Sequence, residues 1–185
     1  MKKTLLAALL AGAALGAAPA LAIEAARLAP GERIRIDGRL DDTGWARAAP
    51  YDRFWDVSPQ DGRPARVRTE VRFAFDRDAL YVAVRAFDPD PARIRAPFAR
   101  RDNVLADQDM VDVFIDPVGN RKFAHFFRVN PRGSIGDGLY NEDTATEDFA
   151  PDLEFDVATG RFAGVQRYAA PKRFQTLIEA TAEVR

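Results

Sequence analysis

The sequence has no cysteine and one histidine, His125. The missing cysteine excludes disulfides, thiolate nucleophiles and cysteine zinc sites. A lone histidine excludes a multi-histidine metal centre. No serine or cysteine constellation accompanies His125, so it reads as a packed or solvated residue rather than a catalyst. Tryptophan occurs twice, at Trp45 and Trp55. There is no glycine-rich phosphate loop, no internal repeat and no low-complexity segment. Helical periodicity is almost absent. Neither sign of charge dominates: 27 Lys and Arg face 28 Asp and Glu, a net charge of −1. That balance gives no basic footprint for nucleic acid.

Long apolar runs are also missing, with one exception. After Met1-Lys2-Lys3, residues 4–18 carry no charge, and Pro19-Ala-Leu-Ala22 follows. A basic start, a short apolar centre and an Ala-x-Ala ending have the form of a secretory signal peptide. The run is short of the roughly 20 residues a membrane span needs. Cleavage is expected after Ala22, leaving no membrane span in the mature chain. The two-lysine start suits a bacterial protein exported to the periplasm, the outer-membrane surface or the medium.

The remainder is long enough for one domain with its own core. Residues 23–33 are of mixed character. Ile34 and Ile36 start a short alternating strand that meets a turn at Asp37-Gly38. Residues 41–48 suit a single helical turn, with Asp41 or Asp42 as N-cap and Trp45 packed inward. Residues 51–63 read as a loop holding Phe54 and Trp55. Those rings can stack on a sugar face, or tuck under the loop as a lid on the core. From Val67 to Phe87 two alternating runs meet at Asp76-Arg-Asp-Ala79, the mark of a β-hairpin. Its Val67, Thr69, Val71, Phe73 and Phe75 share one face; Arg68, Glu70 and Arg72 share the other. Residues 92–108 are irregular, and Arg100-Arg101-Asp102 reads as a solvated charged tip.

The most informative stretch is Asp107 to Pro117. Val111, Val113 and Ile115 alternate with Asp112, Phe114 and Asp116, the period of a strand with one buried face. Aspartate is poor in strands, so Asp109, Asp112 and Asp116 need a reason. They bind something polar, hold a cation or cap strand ends. A second strand, residues 122–130, carries Arg128, and a third runs from Ser134 to Tyr140. An acid and an arginine on adjacent strands suit sugar hydroxyls, and suit a structural ion pair equally well. At least six strands with turns between them predict an all-β antiparallel sandwich, a two-sheet immunoglobulin- or jelly-roll-like architecture.

Three segments, in this order, resemble the family 9 carbohydrate-binding modules. They are Ile36-Asp-Gly-Arg-Leu-Asp-Asp-Thr-Gly-Trp45, the hairpin from Val71 to Arg85, and Gln108-Asp-Met-Val-Asp-Val-Phe-Ile-Asp116 followed by Phe127-Arg-Val-Asn130. The resemblance covers about residues 32–160. Its nearest branch is the family-9-like domain that begins large bacterial outer-membrane proteins; Arg100-Arg101-Asp102 and Asp116-Pro117 fit that branch. The resemblance implies a β-sandwich, optional calcium, and a sugar held between two tryptophans above polar residues. The acid and arginine that contact sugar in the family fall on Asp112 and Arg128, with aspartate in place of the usual glutamate. Asp109 and Trp55 complete the candidate set. The family's first clamping tryptophan falls at Ala106, and no tryptophan follows Trp55.

The expected layout is a signal peptide at 1–22, the sandwich at 23–160 and an atypical segment at 161–185. That last segment departs from the family pattern and reads as the end of a truncated longer gene, which would leave a sandwich edge exposed. The expected function is non-catalytic binding of mono- or oligosaccharide, weak because the stacking rings are missing. Any tie to glycoside hydrolysis comes through the parent family alone. The alternative is a structural or interaction domain that has lost its sugar site. Calcium is a possible cofactor through the turns at Asp76-Arg-Asp78, Asp88-Pro-Asp90 and Asn141-Glu-Asp143.

Overall fold

Alternation decides the strands, and burial on both sides of the first hairpin decides how they stack. The computed structural model describes residues 23–56, 62–105, 107–161 and 173–180. In chain order its strands are β1 (Ala26–Arg27), β2 (Trp55–Asp56), β3 (Arg63–Pro64), β4 (Thr69–Phe75), β5 (Leu80–Phe87), β6 (Val111–Ile115), β7 (Phe123–Val129), β8 (Ile135–Asn141), β9 (Thr146–Asp148), β10 (Phe155–Arg161) and β11 (Arg173–Ala180). Two short 3₁₀ turns, Thr43–Ala46 and Pro91–Arg93, are its helical elements among the described residues. One sheet runs β1-β4-β5-β11-β10 and the other β6-β7-β8-β9; β2 and β3 form a separate ribbon. All pairings are antiparallel except β1 on β4. The expected all-β sandwich is the fold.

The core between the sheets holds Leu80, Val82 and Val84 from β5 against Phe127 and Val129 from β7. Val111, Val113 and Ile115 of β6 pack there too, as their period-2 spacing requires. Phe127 meets Phe155 edge-on at 5.1 Å. Each fully buried valine contributes roughly 1.5–3 kcal/mol.

The other face of the hairpin is buried as well. Arg68, Glu70 and Arg72 share this face, yet Ala74 on it is fully buried. Leu28, Ile34, Trp45 and Ala48 cover it, packing on Ala74, Tyr81 and Ala83 as a second core. Arg72 then serves the covering segment: its Nη1 donates to the carbonyls of Trp45 (3.2 Å) and Ala48 (2.7 Å). Trp45 is inward as expected, on the turn Thr43–Ala46. Asp42 holds the N-cap position, but its carboxylate accepts from the backbone N–H and Nε of Arg35 instead of capping. Ile34 and Ile36 form no strand.

Six strands among the described residues lie outside the expected ones: the short β1, β2, β3 and β9, and the longer β10 and β11. β10 follows the loop after β9, and β11 lies within the segment 161–185, paired between β5 and β10. Aspartate and glycine weaken the β10 pattern, and Leu177 breaks the alternation of β11. Pairing in the sheet, not local preference, makes them strands.

Aspartates close the tight turns. Asp76 Oδ1 accepts from the N–H groups of Asp78 (2.8 Å) and Ala79 (2.9 Å), and Oδ2 from the Tyr81 hydroxyl (2.9 Å). Asp116 ends β6 by accepting from the N–H groups of Val118, Gly119 and Arg121. Burial raises the Asp76 carboxyl, but those three donors outweigh it and hold it below the ordinary value. The Arg121 N–H leads in lowering Asp116. A carboxylate with a lowered folded-state pKa adds stability that is complete above its unfolded value, about 4, and is lost as pH falls through the folded value. The thermal midpoint is therefore expected to hold steady down to about pH 5 and to fall below about pH 4. Asp76→Asn and Asp116→Asn should each flatten that acid limb, read by circular dichroism across the pH series.

Candidate functional site

The register of the second sheet builds the site. Asp112 on β6 lies directly opposite Arg128 on β7, and Phe114 opposite Phe126. Arg128 in turn faces Gly136 on β8, and Phe126 faces Gly138. Tyr140 is opposite Glu147 on β9. Since alternate residues share a face, all of these lie on the side away from the core. The two glycines of β8 offer no side chain, so Arg128 extends across that strand to reach Glu147.

Arg128 is clasped by two carboxylates. Its Nε and Nη2 donate to Asp112 Oδ1 (2.8 Å) and Oδ2 (3.0 Å). Its Nη1 and Nη2 donate to Glu147 Oε2 (3.1 Å) and Oε1 (2.7 Å). The guanidinium also stands 5.5 Å from the Phe126 ring centroid and 5.9 Å from that of Phe149, a favourable placement for a cation. Side-chain exposure is 8% for Arg128, 20% for Asp112 and 30% for Glu147. The hydrogen bonds to Asp112 raise the Arg128 pKa above its already high range; burial opposes this and Glu147 adds to it. Arg128 is thus a permanent cation, and both carboxylates accept its hydrogen bonds.

A row of rings borders the triad. Phe126 meets Phe149 edge-on at 5.1 Å, Phe114 lies 6.2 Å from Phe126, and Tyr140 meets Phe114 at 5.3 Å. Phe114 is 48% exposed. An exposed ring beside carboxylates offers an apolar flat surface next to strong acceptors, the two features a pyranose presents in mirror form.

Of the four candidate residues, Asp112 and Arg128 come together. Asp109 does not join them. Its Oδ2 accepts from the Arg95 N–H (2.6 Å) and its own N–H donates to the Arg95 carbonyl (2.8 Å), closing the loop 95–109. It also rims a cavity of about 210 Å³ between the sheets, floored by Val84 and Val129. Trp55 is 56% exposed on the β2–β3 ribbon, paired with Pro64. The bridge from Tyr51 to Val71 sets that ribbon beside β4, in the other sheet from the triad. Trp55 is therefore neither a lid on the core nor a wall of this site. Ala106 lies outside the described residues. His125 is half-buried opposite Ile115, away from the triad face.

The Arg100-Arg101-Asp102 tip is not simply solvated. Arg101 Nη2 lies 2.7 Å from Asp137 Oδ1, whose side chain is fully buried, and donates to the Leu153 carbonyl at 2.9 Å. Asp102 Oδ1 accepts from the Asp137 N–H at 3.1 Å. Irregular chain around a buried carboxylate left no periodic signal to find this. Asn130 pins the same loop: its Nδ2 donates to the Pro97 carbonyl and to Gln108 Oε1, both at 2.8 Å. Its Oδ1 accepts from the N–H groups of Arg132 and Ser134. In Phe127-Arg-Val-Asn130, two residues thus build core, Arg128 builds the site and Asn130 anchors the loop.

Glu147, Phe114 and Phe149 escaped sequence reasoning. β9 is three residues long, too short for an alternation to register. Gly138→Ala tests the close approach of chain over β8. An added Cβ would collide with the Asp148 carbonyl oxygen and come within 3.0 Å of Phe126. The change is expected to destabilise by about 1–3 kcal/mol, measured by urea unfolding.

Among the described residues no group of three or more His, Asp or Glu is placed to hold a metal. The three oxygen-rich turns direct their oxygens to backbone N–H groups: Asp76 as above, Asp88 to Asp90, and Asn141 to Asp143 and Thr144. Among the described residues no helix is long and apolar enough to cross a membrane.

No family model matches the sequence, and no curated protein does. Solved structures do. One is a family 9 carbohydrate-binding module from Caldicellulosiruptor kristjanssonii in complex with cellotriose, with a TM-score of 0.50 and 19% identity over 86% of this chain and 69% of that one. This chain has the fold of a family 9 carbohydrate-binding module. The module from the same organism in complex with glucose matches similarly, at TM-score 0.50 and 18% identity, over 86% of this chain and 70% of that one. A protein from Bacteroides uniformis classed as carbohydrate-binding matches at TM-score 0.51 and 12% identity. There the likeness covers 74% of this chain and 61% of the other. The family 9 fold accounts for the order of the three resembling segments: turn and second core, hairpin, then the strand pair that carries the triad.

Proposed function

We propose that this chain is a non-catalytic carbohydrate-binding module of an exported bacterial protein, serving carbohydrate breakdown. The observation that carries this is the triad Asp112–Arg128–Glu147, its two acids partly exposed, beside the exposed ring of Phe114. Carboxylates accept from paired sugar hydroxyls, and the ring covers axial C–H groups. The family 9 fold supports it, since neighbours of that fold were solved with cellotriose and glucose. The character of residues 1–22 supports export, to the periplasm, the outer-membrane surface or the medium. Calorimetric titration of glucose and cello-oligosaccharides, with and without calcium, tests the reading. Weak saturable binding, abolished by Asp112→Asn in a folded protein, is the expected result. No heat with any sugar, under either condition, would reject it.

One observation favours a second reading, a structural or interaction domain at the start of an outer-membrane protein. Arg128 already has four hydrogen bonds to its own acids. In that case Asp112→Asn lowers stability and there is no binding to lose.

A further inference from the structure

The triad face is rich in acceptors and poor in donors. A guanidinium carries five N–H donors. Four of those on Arg128 go to Asp112 and Glu147. One Nη1 hydrogen is left without a partner among the described residues. Each of the four carboxylate oxygens accepts one of these bonds and keeps a further lone pair. The three side chains together carry one negative charge in excess. Arg128 is the most buried of them, at 8% side-chain exposure, against 20% and 30% for the acids. A ligand arriving on this face therefore meets carboxylate more than guanidinium.

Resting on the sugar-binding reading of this same site, we propose that the triad selects by charge. It takes sugars bearing a protonated amine, such as 2-amino-2-deoxyhexoses, ahead of neutral hexoses, and it disfavours uronic acids. An ammonium brings three donors and a positive charge to an acceptor-rich, net negative face. A hydroxyl brings a donor without the charge. A uronate brings acceptors and negative charge to acids whose cation is already engaged, and like charges repel. Phe114 on the same face reinforces the choice, because a ring face attracts a cation as well as C–H groups.

The test is a titration of the full chain with glucosamine, glucose and glucuronate at about pH 6, where the amine is protonated. Glucosamine is expected to bind about fivefold tighter than glucose, the upper range for a partly exposed ion pair. Glucuronate is expected to bind weakest. Added salt should shrink the glucosamine-to-glucose ratio, since screening weakens the charge contribution alone. Glu147→Gln removes the excess charge and should bring that ratio near one, with folding verified by circular dichroism. Should that variant fail to fold, the salt series decides. Equal affinity for glucosamine and glucose, or tighter binding of glucuronate, would overturn charge selection while leaving sugar binding in place. Silence from all three sugars would overturn the sugar-binding reading and this inference with it.

Discussion

Arg128→Met is expected to lower the unfolding free energy by about 3 kcal/mol. The arginine is 7% exposed and closes both Asp112 and Glu147. Methionine fills much of the volume but leaves two carboxylates facing each other across the glycine gap of β8. Removing one member of a buried pair typically costs about 3–5 kcal/mol. The partial exposure of both acids lets water screen the orphaned charge, which places the loss at the lower end. Such a loss is a large part of a total near 5–15 kcal/mol. Urea unfolding, with the slope unchanged, is the measurement. Adding Asp112→Asn and Glu147→Gln to Arg128→Met removes the orphaned charges and should return part of the stability. A triple variant no more stable than the single one would show that the loss comes from packing on Phe126 and Phe149.

The second large effect is at Trp45. Trp45→Ala is expected to cost about 3–5 kcal/mol, because the indole is 2% exposed and joins Leu28, Ile34 and Ala48 to the back of the hairpin. Trp45→Phe should cost far less, within about 1 kcal/mol. The indole Nε1 is buried without a hydrogen-bond partner among the described residues, so its removal relieves a desolvated donor while a ring still fills the space. Urea unfolding of both variants decides between them. If Trp45→Phe costs as much as Trp45→Ala, loss of the indole N–H and not of ring volume governs this core.

The two sites show how differently residues declare themselves. Trp45 was legible because a large apolar ring on a short turn otherwise rich in polar residues has one plausible direction. Asp112 and Arg128 were singled out by the resemblance to family 9 modules, since the alternation itself left Asp109, Asp112 and Asp116 equally open. Glu147 was not, since its strand is three residues long and it reaches Arg128 across a strand that contributes no side chain. Arg101 was misjudged for a related reason: a charged tip looks solvated until a buried carboxylate, Asp137, is brought beneath it. Trp55 and Asp109 had suitable chemistry but do not stand with the triad. One stands on a ribbon beside the opposite sheet, and the other closes its own loop.

Local pattern alone determined the five strands β4 to β8, the hairpin from β4 to β5, the inward face of β6 and the turn-closing aspartates. Those features depend on the period of two and on hydrogen bonds between near neighbours in sequence. The tertiary structure alone decided that the hairpin is buried on both faces, that β11 lies between β5 and β10, and that Arg128 has two acids rather than one. Each of these is a contact between segments distant in sequence, and no local spacing encodes which distant segment arrives.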